Sequence, residues 1–104
     1  MNPVVAGFQW DRGNRAKCQK HGVSIAEIEQ LFAGPIAVFP DPAHSNAEER
    51  FKAIGRTNAG RAVLIVFALR GGAGVDRLIR PISARYMHGK EIAYYEEEVA
   101  KTAQ

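Results

Sequence analysis

The chain has 104 residues, 46% hydrophobic and 24% charged, with a formal net charge of +3. That is enough for one domain with one modest core, and it lies outside the compositions of disordered or collagen-like chains. No apolar run reaches the roughly 18 residues a membrane-spanning helix needs. Residues 1–10 do not show the basic region followed by an apolar region and a cleavage site of a signal peptide, and the lone Cys18 has no partner for an internal disulfide. A cytoplasmic protein of one domain over residues 1–104 is expected.

Ala6–Trp10 is a short apolar stretch suited to an initial strand. Asp11 can cap a first helix running to about Lys20, with Lys20 and His21 in its last turn and Gly22 just beyond it. Ser24 and Glu27 form an S-x-x-E capping box, with Val23 and Ile28 placed as a hydrophobic staple. Ile25, Ile28, Leu31 and Phe32 then share one helix face, which Gly34-Pro35 ends. Ile36–Phe39 is strand-like, and residues 41–46 form a loop by composition. Three strands follow. Glu49–Thr57 ends at the turn Asn58-Ala59-Gly60, and Arg61–Arg70 is apolar almost throughout, as a strand covered on both faces should be. A glycine-rich turn, Gly71–Gly74, leads to Arg77–Arg85, where Pro81 lacks a donor N–H and argues for an edge position or a bulge. His88–Lys101 closes the chain as a helix with Ile92, Tyr95 and Val99 on one face. The expectation is an α+β domain, with two N-terminal helices and one C-terminal helix packed on an antiparallel sheet.

The three histidines, His21, His44 and His88, are dispersed, and no C-x-x-C or H-E-x-x-H spacing occurs, so no metal site is expected. No phosphate-binding G-x-x-x-x-G-K-[ST] loop is present either. Arginine outnumbers lysine, and its planar fork suits bidentate phosphate contacts. Cleaving RNA without a metal needs a base near the ribose 2′-OH, a cation for the transition-state charge, and an acid for the leaving oxygen. Arg61, Arg80 and Arg85 fall on adjacent strands and could converge on one phosphate, although each taken singly fits a solvated or ion-paired surface residue. By strand parity Arg77, Ser83 and Arg85 share one face and Arg80 the other, a relation that a bulge at Pro81 would change. His44 sits in a polar loop where a general base could be exposed. Glu91 lies in the first turn of the last helix, near Arg85 in sequence, suited to orienting that arginine or to moving a proton.

Several segments carry a more specific signal together: Phe8-Gln9-Trp10-Asp11, Lys20-His21-Gly22-Val23-Ser24, Asp41-Pro42-Ala43-His44-Ser45 with Glu49-Arg50-Phe51, Ile54-Gly55, Gly60-Arg61, and Ile79-Arg80-Pro81-Ile82-Ser83-Ala84-Arg85, continued by Glu91 and Tyr95. In order and spacing they resemble the BrnT toxins of type II toxin–antitoxin systems. The resemblance implies a RelE-like fold and a metal-independent endoribonuclease, without cofactor, that arrests growth by lowering translation. It also implies a BrnA-type antitoxin with a ribbon-helix-helix DNA-binding part, and contact with operator DNA only through the toxin–antitoxin complex. The family's functional positions carry over by motif to Arg61, Ser83, Arg85 and Glu91, with Arg80 and His44 as secondary candidates. The chain departs from the common W-D-x-x-K pattern, reading Trp10-Asp11-Arg12-Gly13-Asn14, and from the threonine or serine before the last helix, where Met87-His88-Gly89 stands. A second reading is a module that binds the antitoxin and modulates its operator binding without catalysis.

Overall fold

Reciprocal capping boxes start both N-terminal helices of this computed structural model, which describes residues 5–45, 47–71 and 77–102. At helix α1 (Arg12–Gln19), Asp11 Oδ1 accepts from the Asn14 N–H at 3.0 Å and Asn14 Oδ1 accepts from the Asp11 N–H at 2.7 Å. At helix α2 (Ile25–Ala33), Ser24 and Glu27 exchange the same pair of bonds at 3.0 and 2.9 Å. Each box satisfies two N–H groups that a helix start leaves without partners. Between the helices Gly22 takes φ +91°, a conformation glycine adopts without penalty.

The strands are β1 (Val5–Phe8), β2 (Ala37–Pro40), β3 (Phe51–Arg56), β4 (Ala62–Arg70) and β5 (Arg77–Tyr86), in one sheet ordered β1-β5-β4-β3-β2. Strands β2 to β5 pair antiparallel, as expected, whereas β1 lies parallel beside β5 and makes the sheet mixed. Both helices and three strands separate β1 from β5 along the chain, so no tight turn dictates their relative direction. The turn expected over Gly71–Gly74 lies, apart from Gly71, outside the described residues.

Strand β4 is covered on both faces. Val63, Ile65 and Phe67 meet Cys18, Val23, Ile28 and Leu31 of the α1–α2 layer. Ala62, Leu64 and Val66 meet Met87 and the Ile92 and Tyr95 side chains of helix α3 (Gly89–Thr102). Ile28 and Ile65 are fully buried, and each such side chain contributes roughly 1.5–3 kcal/mol relative to exposure. Gly55 explains how closely α2 approaches. A Cβ there would stand 3.0 Å from Leu31 Cγ and 3.2 Å from Ile36 Cγ2. No helix among the described residues is long and apolar enough to cross a membrane.

Pro81 sits at a bulge, and β5 is an interior strand rather than an edge. Val66 pairs with Ser83 while Phe67 pairs with Pro81, which leaves Ile82 as the extra residue. A proline is tolerated there because the ladder is already interrupted. Helix α1 is fastened at this point, since the buried Asn14 amide donates to the Pro81 carbonyl at 2.9 Å.

Candidate functional site

On the α3 side of the sheet lies a cleft of about 400 Å³. Leu64 and Val66 of β4 form its floor, and Ile82, Ser83 and Arg85 of β5 form one wall. Arg50 and Lys52 rise from the strand region on the other side, Glu91 and Tyr95 come from α3, and Lys17 and His21 reach in from the C-terminal end of α1. Lys17, Arg50, Lys52 and Arg85 therefore bring permanent positive charge to a lining with Glu91 as its carboxylate. Such a surface attracts polyanions and concentrates them before contact.

Arg85 and Glu91 form a bidentate pair, Nη1 to Oε1 at 2.7 Å and Nη2 to Oε2 at 2.6 Å. The Arg85 hydrogen bond holds the Glu91 carboxyl below its ordinary value, and the same bond raises Arg85. Glu91 is thus an ionised acceptor that holds the guanidinium in place, and Arg85 keeps its Nε edge free among the described residues. The Ser83 hydroxyl lies beside it without a hydrogen bond to any described residue. Lys52 Nζ donates to the Tyr95 hydroxyl at 3.4 Å and stands 3.9 Å from the buried Asp41 carboxylate. The Tyr95 ring packs at 5.5 Å from Phe39, so one side chain belongs to both the core and the cleft.

The three arginines expected to meet do not converge. The Arg61 guanidinium lies 3.4 Å from the centre of the Tyr86 ring, and the Tyr86 hydroxyl donates to Glu27 at 3.1 Å. Tyr86 pairs with Val63, on the α1–α2 face, whereas Arg85 pairs with Leu64 on the face bearing α3. The sheet itself separates the two groups. Arg80 pairs with Ala68, whose parity on β4 matches Val66 and Leu64, so the bulge has brought it to the side of Ser83 and Arg85. Its guanidinium is nevertheless engaged by Asp11 at 2.7 Å and by Gln9 at 3.5 Å, outside the cleft lining. Asp11 is held below its ordinary value by the Asn14 backbone bond first and by Arg80 second. His44 closes a single 3-10 turn, Pro42–His44, and its side chain lies outside the described residues.

Of the residues singled out from sequence, Ser83, Arg85 and Glu91 come together. The reading missed Lys17, His21, Arg50, Lys52 and Tyr95 as their neighbours. Arg50 and Lys52 were visible as a same-face pair two residues apart, but the arrival of the α1 C-terminus at the cleft depends on packing against β5. Among the described residues no group of three or more His, Cys, Asp or Glu side chains is gathered. A cation fork, a free hydroxyl, a phenol beside an ammonium and an imidazole can together bind a phosphodiester, neutralise added charge on it and exchange protons with it. A family model described as the ribonuclease toxin, BrnT, of type II toxin–antitoxin systems matches residues 10–91, a span that covers the cleft except for Tyr95. No curated protein matches the chain.

Proposed function

The chain belongs to the BrnT family of ribonuclease toxins of type II toxin–antitoxin systems, and on that premise we propose that it cuts RNA in the Arg85 cleft without a metal ion. The observation that carries this reading is the Arg85–Glu91 pair set within a cationic cleft beside a serine hydroxyl that bonds to no described residue. Lys17, Arg50 and Lys52 bind phosphates along the strand. Arg85 takes the scissile phosphate through its free edge, Glu91 fixes the fork, and Ser83 donates to a second phosphate oxygen. The ribose 2′-oxygen attacks the adjacent phosphorus, its proton passes to a cleft base, and the bond to the 5′-oxygen breaks as that oxygen gains a proton. A 2′,3′-cyclic phosphate and a 5′-hydroxyl result. His21 and Tyr95 are the proton-moving groups in this scheme, with Lys52 assisting the phenol and His44 as a further candidate. Arg61 and Arg80 serve the fold, through the Tyr86 stack and the Asp11 pair. The partner is a BrnA-type antitoxin, operator DNA is met only through the complex, and the site of action is the cytoplasm, where the RNA is.

The test is induction of the protein alone, beside Arg85→Ala and beside co-expression with the neighbouring reading frame. Growth arrest with RNA cleavage, lost in Arg85→Ala and relieved by the neighbour, is the expected result. Normal growth with intact RNA, from a folded protein that still binds the neighbour, would replace this reading by the antitoxin-binding module without catalysis.

A further inference from the structure

The departure from W-D-x-x-K places an asparagine where α1 meets the bulge of β5, and that asparagine is 3% exposed. Both N–H donors of its amide are used, and its carbonyl oxygen is engaged as well. Nδ2 donates to the Pro81 and Gln9 carbonyls, both at 2.9 Å, and Oδ1 accepts from the Asp11 N–H at 2.7 Å. The Pro81 carbonyl belongs to the interrupted stretch of the β4–β5 ladder, where Ile82 has no partner residue on β4. A side-chain amide is the group that answers a carbonyl freed in this way, because burial without a donor would be unfavourable.

The bulge decides which side chains enter the cleft. Before it, Ile79 and Pro81 face the α1–α2 core; after it, Ala84 and Tyr86 do, while Ser83 and Arg85 face the cleft. Because side-chain direction alternates along a strand, losing the extra residue would put one of these two sets on the wrong face. The bulge is therefore the condition for having a buried Ile79 and a cleft-facing Arg85 on one strand. We propose that Asn14 is a positioning residue of the ribonuclease site, clamping the β5 bulge so that Ser83 and Arg85 hold their places in the cleft. This rests on the cleft being the site of RNA cleavage. Asn14 itself touches no substrate, since its amide is spent on Pro81, Gln9 and Asp11.

The experiment measures cleavage of a mixed-sequence single-stranded oligoribonucleotide by the purified full chain, with Asn14→Ala, Asn14→Ser, Asn14→Asp and Arg85→Ala compared between about pH 5 and pH 8. Asn14→Ala is expected to keep its far-ultraviolet circular dichroism and its KM, which the cleft cations set, and to lose kcat by roughly 10- to 100-fold, the scale of a small misplacement. Asn14→Ser, with one hydroxyl donor, is expected to fall between wild type and Asn14→Ala. Asn14→Asp supplies a carboxyl that faces two carbonyls and lies beside Asp11 and Arg80. It donates a hydrogen bond only when protonated, so its activity relative to wild type is expected to rise as pH falls, while the Asn14→Ala ratio stays flat. Unchanged kcat in the folded variants, or an Asn14→Asp ratio that does not respond to pH, overturns the positioning role. Loss of folding in all three Asn14 variants overturns it in favour of a purely structural one. Arg85→Ala separates the two levels: full activity there removes the cleft reading, whereas an inactive Arg85→Ala beside active Asn14 variants removes only this inference.

Discussion

Replacing Glu91 by glutamine leaves the shape of the side chain and one acceptor oxygen, but removes the charge that Arg85 grips at 2.6 and 2.7 Å. The Arg85 and Glu91 side chains are 43% and 26% exposed, so solvent screens the pair and its worth lies near the upper end for exposed ion pairs, about 1 kcal/mol. Glu91 titrates below its ordinary value of 4.5 in the folded protein because Arg85 bonds its ionised form. A depressed folded value means stability that is fully present above the unfolded value and is lost as pH falls through the folded one. Urea denaturation should therefore show wild type more stable than Glu91→Gln by about 1 kcal/mol near neutrality. The gap should close on the acid side of 4.5 as wild type takes up the proton. A gap that holds constant into acid would refute the ion-pair account. In cleavage assays Glu91→Gln should lower kcat by roughly 10-fold through a loosened Arg85, with both limbs of the pH–rate profile retained. Disappearance of one limb would return proton transfer to Glu91.

Four further outcomes follow from the geometry. Arg61→Ala should destabilise the fold by about 0.5–1 kcal/mol, the scale of an exposed cation–π contact, while leaving kcat at its wild-type value; a large loss of kcat would bring Arg61 back into the site. Gly55→Ala forces a Cβ to within 3.0 Å of Leu31 Cγ and should cost about 1–3 kcal/mol, read as a lowered melting temperature. Lys17→Gln should weaken RNA binding and flatten the slope of log K against log salt by roughly 0.7, one phosphate contact on a single strand. Burial pushes the Cys18 thiol up to about 11, so iodoacetamide at mildly alkaline pH should label it only when the protein is unfolded.

Local signals in the chain marked the local structure faithfully. The Ser24–Glu27 box, the Asp11 cap and Gly22 determined where α1 and α2 begin and part, because those signals act over four or five residues. The almost unbroken apolar run of β4 announced a strand buried on both faces, and both faces are covered. Strand direction was harder to read. Nothing in Val5–Phe8 says that it runs parallel to a strand about seventy residues away, since hydrophobic pattern is indifferent to polarity. The family motif led to Ser83, Arg85 and Glu91, which do meet. It did not mark Lys17 or Lys52, which arrive from α1 and β3 through tertiary packing, and it contained Arg50 without showing that this side chain reaches the cleft.

The limit of parity is sharpest at Ile82. Counting alternate residues from Arg77 puts Arg80 opposite Ser83 and Arg85, and one unpaired residue reverses that relation. Pro81 signalled an irregularity without saying whether it was an edge or a bulge, and the deciding information lies sixty-seven positions away, in the amide of Asn14. A buried asparagine within a capping box has a local explanation already, as the N3 partner of Asp11, which hides its second task from any reading confined to neighbours. The same amide that starts α1 closes the gap in β5. If Asn14 positions the site as proposed, the orientation of Arg85 depends on a helix start whose residues do not line the cleft. Substitutions at Asp11 that loosen the cap should on this logic act on kcat as well as on stability, whereas substitutions at the Ser24 cap of α2, whose bonds run to Glu27 and not to the bulge, should act on stability alone.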